Sequence, residues 1–259
     1  MLQRPTLLAI LAHPDDESFG PGGTLARYAW QGVDTVLVTA TNGGAGVTGG
    51  LTDQVNLPAM RHRELMGAAA LLGIETVFHW ANPDGELAAV PVEEVVSRLV
   101  RVLRGLQPQV VITFGPEGGG NEHPDHIAIH HLATTAFDVA ADIRQYSTPG
   151  LPPAHPAKLY ALTVAPEAPQ RERIVFLAPT TRIDISAALA VKRAAFYKHR
   201  TQRNDRAYYQ RYQEEQGAYE WFALLRGQLG PQDPVSSFET DLFAGVPGNQ
   251  LEPAVSFLA

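Results

Sequence analysis

Cysteine is absent from all 259 residues of the sequence. This absence excludes a disulfide scaffold, a thiolate nucleophile, iron–sulfur ligation and every cysteine-based zinc finger. Any metal that this chain binds must therefore be held by histidines and carboxylates. The composition supplies both, with nine histidines and 27 aspartates and glutamates.

A surplus of positive charge and a long apolar run are also lacking. The formal net charge is −7, which argues against a protein that neutralises phosphate backbones. The apolar run near the start, Thr6 to Ala12, is too short to span a membrane. It also lacks the charged flank and the cleavage site of a signal peptide. We therefore expect a cytoplasmic protein with no membrane insertion and no nucleic-acid partner.

Segments typical of strands and helices alternate through the first half of the chain. This order predicts an α/β, Rossmann-like fold, in which a mainly parallel sheet carries helices on both faces. Sheets of this kind bind their ligands at the carboxyl ends of the strands, so we expect the active site there. The predicted strands cover residues 6–12, 34–40, 76–80 and 110–114, and the predicted helices cover residues 22–31, 58–72, 91–106 and 127–141.

Residues 1–259 are expected to form a single domain. Its core comprises residues 1–145, and residues 146–259 complete the fold and cover the site. The boundary is the proline-rich segment 146–157. Beyond it, we predict strands at residues 158–164 and 174–177 and a long helical stretch over residues 187–225.

Two His-Pro-Asp segments follow predicted strands. The first contains His13 and Asp16, and the second ends with His126. Together they offer two imidazoles and one carboxylate, which would leave positions open for water and substrate, as in a catalytic zinc site. Either segment alone fits a simple turn, with Asp16 as a helix cap. Two such segments at one edge of a sheet favour the metal site.

Five short motifs are spread along the chain: A-H-P-D-D-E at residues 12–17, R-x-x-E-L at 61–65, H-P-D-H at 123–126, K-x-x-A-x-x-x-H-x-T-Q at 192–202 and E-x-F at 220–222. In these motifs the sequence resembles the zinc-dependent de-N-acetylases of the PIG-L/LmbE superfamily, and the likeness extends from about residue 6 to residue 222. Two positions depart from the family pattern: Gly44 stands where a glutamate is usual, and Thr201 replaces a serine.

The resemblance implies a role for each motif. Asp15 is implied as the general base and His123 as a group that assists at the substrate carbonyl. Arg61 is implied as a substrate-binding residue, suited to an anionic group. The implied zinc ligands are His13, Asp16 and His126, although two imidazoles and a carboxylate also accept iron(II) or manganese.

Position on a helix adds one candidate outside these motif roles. His199 lies seven residues after Lys192, on the same face of a helix, and we assign His199 to substrate binding. Lys192 itself and His130, one turn beyond the second His-Pro-Asp segment, receive no assigned role.

The resemblance predicts a hydrolase that removes acetyl from a small N-acetylglucosamine conjugate. An alternative is an amidase for a larger amide, such as a thiol S-conjugate or an acylated natural product. A third hypothesis is a sugar-binding protein that does not catalyse. Such a protein has no need for both a metal triad and an adjacent base, which counts against this hypothesis. The aglycone, the native metal and the oligomeric state stay open, with a homo-oligomer among the alternatives.

Overall fold

Seven strands in one sheet and seven helices make up the part of the chain that the computed structural model describes, residues 4–168 and 174–247. The strands are β1 (Thr6–Leu11), β2 (Asp34–Thr41), β3 (Thr76–Asn82), β4 (Val110–Thr113), β5 (Lys158–Thr163), β6 (Thr181–Asp184) and β7 (Tyr219–Arg226). The helices are α1 (Asp16–Phe19), α2 (Gly22–Trp30), α3 (Leu57–Leu72), α4 (Val92–Leu106), α5 (Pro124–Val139), α6 (Leu189–Phe196) and α7 (Arg206–Gln216).

The sheet has the order β3-β2-β1-β4-β5-β7-β6. The five strands from β3 to β5 run parallel, whereas β7 is antiparallel to both β5 and β6. All six residues of β1 are buried, because the strand has neighbours on both sides and helices above and below. The β5, β6 and β7 strands belong to the same sheet as the first four. The organisation of residues 1–259 as a single domain stays a prediction, and residues 1–3 and 248–259, at the two ends of that predicted domain, lie outside the described residues.

The helices form two groups. One group consists of α4 and α5, which pack against each other, and the other consists of α2, α3 and α6. The apolar stripe of α4, which includes Val95, Leu99 and Leu103, is buried, as its helical spacing predicts. The prediction of a mainly parallel α/β sheet with helices on both faces is confirmed. No helix among the described residues combines the length and the apolar character needed to cross a membrane.

The prediction of a long helical stretch over residues 187–225 is wrong from residue 217 onward. The helical region ends with α7, because Gly217 adopts φ 65° and ψ −139°. The chain then continues as β7, whose residues Trp221, Phe222 and Ala223 are buried between β5 and β6. An apolar run with a tyrosine and a tryptophan fits a buried strand as well as a helix, and here the open sheet edge decides.

Two further elements differ from the sequence prediction. Residues 174–177 form no strand, and Phe176 lines a cavity instead. The helix expected from residue 127 begins earlier, at Pro124, where the missing N–H of proline costs no helical hydrogen bond. His126 therefore lies in the first turn of α5.

Candidate active site

Both His-Pro-Asp segments lie at the carboxyl ends of two adjacent parallel strands. His13 follows β1, and His123 follows β4 after a glycine-rich loop. A cavity of about 390 Å³ opens at this edge of the sheet. Six of the seven predicted site residues line it: His13, Asp15, Asp16, Arg61, His123 and His126.

The three predicted metal ligands converge on one point. His13 Nδ1 lies 3.1 Å from His126 Nε2, and Asp16 places its carboxylate oxygens 3.3 Å from His126 Nε2 and 3.6 Å from His13 Nδ1. Ligand atoms at about 2.0–2.1 Å from a tetrahedral zinc are themselves roughly 3.3 Å apart. The observed separations therefore fit a small divalent cation.

The ring nitrogens of His13 and His126 that face away from the cluster have hydrogen-bond partners that also fit a cation site. His13 Nε2 lies 3.1 Å from Asp125 Oδ2 and 3.0 Å from Asp84 Oδ1, so this nitrogen carries the proton. His126 Nδ1 donates to the Gly118 carbonyl oxygen at 3.0 Å. The second nitrogen of each imidazole faces the other ring and the Asp16 carboxylate, as the ligand atoms of one bound cation would.

The electrostatics of the cluster agree with a cation site. Burial alone would lower the pKa of His13, but the carboxylates of Asp125, Asp16 and Asp84 raise it well above the usual histidine value. Burial would raise the pKa of Asp16, but His126 and His13 hold it well below the usual aspartate value. The site thus favours positive charge among its ligands.

The sequence prediction missed two carboxylates that orient His13. Asp125 is fully buried and also accepts hydrogen bonds from the backbone N–H groups of Gly85, at 2.7 Å, and Leu87, at 3.0 Å. Asp84 accepts from the Ala45 backbone N–H at 3.0 Å. Asp84 follows the carboxyl end of β3, so the same strand-end rule that identified the His-Pro-Asp segments would have found it.

Asp15 lies beside the cluster in an unusual backbone conformation. Its φ is 118°, a region that residues other than glycine rarely adopt. Burial raises the pKa of its carboxyl group to about 6, against the opposing effect of Arg61. Arg61 donates to Asp15 Oδ2 at 3.0 Å, and it also donates to the carbonyl oxygens of Gly43, at 3.0 Å, and Pro14.

His123 is half-buried at the edge of the cluster. Its ring nitrogen and those of His13 and His126 lie within 4.8 Å of one another. His123 Nδ1 accepts the backbone N–H of Asp125 at 3.2 Å, which leaves the proton on Nε2. Burial, and then the nearby His13 and His126, lower the pKa of His123. The neutral imidazole therefore carries a donor N–H.

The structure places His199 behind the cavity wall. The described residues that line the cavity do not include it, and it is 1% exposed. Its Nε2 lies 2.7 Å from Glu17 Oε1. Burial would lower the pKa of His199, but the Glu17 carboxylate raises it above the usual value. Its predicted contact with substrate stays a prediction.

Lys192 and His130 are both tied to the chain itself. Lys192 Nζ donates to Glu220 Oε1 at 2.6 Å and to the Gly20 carbonyl oxygen at 2.7 Å. His130 Nδ1 donates to the Phe114 carbonyl oxygen at 2.7 Å. Both residues therefore support the framework around the site.

Several aromatic rings line the cavity. Phe19 packs on Tyr208, with ring centroids 5.6 Å apart, and on Tyr212, with centroids 4.8 Å apart. All three rings line the cavity, as does Phe176. The cavity therefore combines the cluster of histidines and carboxylates with aromatic rings, a combination that suits the ring of a sugar.

Comparison with known proteins gives a consistent group of relatives. The sequence profile of PIG-L, described as GlcNAc-PI de-N-acetylase, matches residues 8–137, about half of the chain. A 1D-myo-inositol 2-acetamido-2-deoxy-alpha-D-glucopyranoside deacetylase from Rhodococcus opacus is 33% identical over 93% of this chain and 98% of its own length. A deacetylase of the same description from Kineococcus radiotolerans is 37% identical over 67% of this chain. That match covers 56% of the length of the Kineococcus protein.

A relative with another activity is also similar. A mycothiol S-conjugate amidase from Streptomyces coelicolor is 34% identical over 56% of this chain and 56% of its own length.

Two solved structures share the fold. The N,N'-diacetylchitobiose deacetylase from Pyrococcus horikoshii is 25% identical, with a TM-score of 0.70 over 85% of this chain and 83% of that chain. The 4-carboxy-2-hydroxymuconate hydratase GalB from Pseudomonas putida is 23% identical, with a TM-score of 0.71 over 88% of this chain and 99% of that chain. The second likeness concerns the fold alone, since one fold serves different reactions.

Proposed function

The chain belongs to the PIG-L family of GlcNAc-PI de-N-acetylases, and from this premise we propose that it is a metal-dependent hydrolase that removes the N-acetyl group from an N-acetylglucosamine conjugate. One observation carries the proposal. Nδ1 of His13, Nε2 of His126 and the carboxylate of Asp16 converge on one point in a cavity that Asp15 also lines. That arrangement suits hydrolysis of an amide by water.

The proposed cofactor is Zn²⁺, with Fe²⁺ or Mn²⁺ as the alternatives that the same donor set accepts. A divalent cation bound in this position would supply Lewis acidity, which would polarise an amide carbonyl and make a water molecule more acidic. His13, Asp16 and His126 would hold the ion. Asp84 and Asp125 would keep His13 in the tautomer that binds it.

Asp15 is the proposed general base. Its carboxyl group lines the cavity, and burial raises its pKa to about 6, which is close to the pH at which proton exchange with water is efficient. Asp15 takes a proton from the attacking water and returns it to the nitrogen of the leaving amine. The products are acetate and a free amine, so no covalent enzyme intermediate is needed.

His123 is the proposed donor to the carbonyl oxygen. Its Nδ1 is engaged by the Asp125 backbone N–H, so Nε2 carries the proton of a neutral imidazole. A donor fixed in this way stabilises the negative charge that develops on the oxygen, and one such donor contributes roughly 3 kcal/mol in other hydrolases.

The proposed substrate is a small glycoconjugate. The relatives are named as deacetylases of 1D-myo-inositol 2-acetamido-2-deoxy-alpha-D-glucopyranoside, and aromatic rings in the cavity wall would suit a sugar ring. The similarity to the mycothiol S-conjugate amidase favours a second candidate, cleavage of a larger amide at the same centre. We also propose one catalytic domain that is cytoplasmic and needs no nucleic-acid partner.

An amine-release assay tests the proposal. The substrates are N-acetylglucosamine alone and its conjugates with malate, inositol and phosphatidylinositol, each assayed with metal-replete protein. Amine release from at least one conjugate, lost in His126→Ala, is the expected result. No release from any of the four would rule out this substrate class, and metal-free protein that binds the conjugates without turnover would favour a sugar-binding protein.

A further inference from the structure

The backbone at Asp15 needs an external restraint. Its φ of 118° and ψ of −25° lie where a side chain is strained, and such conformations persist only where the surroundings hold them. The Asp15 carbonyl oxygen accepts the N–H groups of Ser18, at 3.0 Å, and Phe19, at 2.9 Å. These bonds hold the carbonyl side of the residue, which leaves the orientation of its own N–H to another group.

Glu17 supplies that group. The backbone N–H of Asp15 donates to Glu17 Oε2 at 3.0 Å. The other oxygen, Glu17 Oε1, accepts from Ser18 Oγ at 2.6 Å and from His199 Nε2 at 2.7 Å. The side chains of Glu17 and His199 have no exposed surface. Since a buried carboxylate is stable only when its oxygens are satisfied, His199 fixes the position from which Glu17 holds Asp15.

Asp16 is held by different contacts. Its Oδ2 accepts the backbone N–H groups of His13, at 2.7 Å, and Ala12, at 3.1 Å, at the end of β1. The predicted metal ligand therefore depends on the strand end, whereas the neighbouring base depends on Glu17. Loss of one support leaves the other in place.

We infer that Glu17 and His199 form a positioning pair, which holds the Asp15 backbone in its left-handed conformation and thereby aims the Asp15 carboxylate into the cavity. The catalytic consequence rests on the proposed function, in which Asp15 is the base. The restraint on the Asp15 backbone does not depend on that function. The pair gives His199 a role in the reaction from behind the cavity wall, without contact with substrate.

Two substitutions of His199 separate positioning from simple packing. His199→Phe keeps a ring but removes the donor to Glu17, whereas His199→Gln places an amide N–H near the position of Nε2. We expect His199→Phe to lower kcat about 100-fold, since a displacement of about 1 Å has that effect on a reacting group. KM and metal content should stay close to wild type, and His199→Gln should recover most of kcat.

The matched control is Glu239→Gln. Glu239 is likewise a fully buried acid, bonded to Lys158 Nζ at 2.5 Å, and it does not line the cavity. We expect this variant to lower the melting temperature and to leave the kcat of the folded protein unchanged. If His199→Phe behaved in the same way, the pair would be structural only and the inference would be overturned.

Hydrogen exchange of the Asp15 amide, measured by NMR on metal-free protein, gives a readout without activity. We expect slow exchange in wild type and in His199→Gln, and exchange faster by about tenfold or more in His199→Phe, because the buried hydrogen bond opens more often. Unchanged exchange in His199→Phe would refute the restraint. If His199→Phe does not fold, His199→Asn replaces it, since its shorter amide cannot reach Glu17.

The two readouts also separate this inference from the proposed function. If wild-type protein releases no amine from any conjugate, the proposed function fails, and the exchange of the Asp15 amide still decides whether the pair restrains the turn.

Discussion

The guanidinium of Arg61 donates to the carboxylate of Asp15 at 3.0 Å, and the same group also binds the carbonyl oxygens of Pro14 and Gly43. Arg61 is only 3% exposed. Both of its terminal nitrogens are therefore occupied by the chain itself. The arginine thus joins the turn that carries the proposed base to the loop after β2, and Glu17 bonds to the backbone of the same turn.

The first prediction concerns Arg61. We expect Arg61→Lys to lower kcat by about 100-fold, because a single ammonium cannot reproduce the fork that holds Asp15 and two carbonyl oxygens at once. KM should change little. Steady-state kinetics on the best conjugate from the amine-release assay measures both, with the exposed Arg63→Lys on the same helix as the control. A large rise in KM with kcat preserved would instead support the direct substrate contact that the family resemblance implies.

The second prediction separates the metal ligands from the base. Asp15→Asn should keep near-stoichiometric metal and lose about 100-fold or more in kcat, the usual contribution of a positioned base. Asp16→Asn should lose metal, because the ligand carboxylate is gone. Mass spectrometry of protein purified without added metal, together with turnover, distinguishes the two. Loss of zinc in Asp15→Asn would show that Asp15 is a ligand and not the base.

The third prediction concerns Asp125, which the sequence prediction did not assign. Asp125→Asn should weaken metal binding about 10- to 100-fold, because His13 loses the carboxylate that fixes its tautomer. Competition with a chelator measures the affinity. The control is Asp138→Asn, which changes an exposed aspartate on the same helix that pairs with Arg226 at 2.9 Å. Equal affinities in the two variants would contradict the orienting role.

Much of this site was predictable because parallel strands bring their carboxyl ends to one edge. That rule alone placed His13 and His126 together before any contact was known. The same rule reaches Asp84, which follows β3, but it does not reveal the contact with His13 that gives Asp84 its role. The burial of His199 was equally hidden, since a histidine seven residues from Lys192 fits a site wall and a packed interior equally well. The strand β7 was missed because only the empty sheet edge distinguishes it from a helix.

The final prediction contrasts two glycines inside helices. A Cβ on Gly23, in α2, would lie 2.7–2.8 Å from three atoms of Ile185, whereas a Cβ on Gly105, in α4, would meet nothing within 4 Å. Alanine is favoured over glycine in a helix by about 1 kcal/mol, so Gly105→Ala should raise the free energy of unfolding by up to that amount. In Gly23→Ala, overpacking of about 1–3 kcal/mol opposes the same gain, so no net stabilisation is expected.

Urea denaturation of both variants measures the contrast. One of the close atoms is the Cβ of Ile185 itself, so Ile185→Ala cannot relieve the clash by shortening a flexible side chain. We therefore expect Gly23→Ala to raise the free energy of unfolding less than Gly105→Ala does. The same order is expected when both changes are made in the Ile185→Ala protein and compared with that protein. Equal stabilisation by the two alanines would mean that α2 can move away from Ile185, and that the close approach is not needed for the packing of α2.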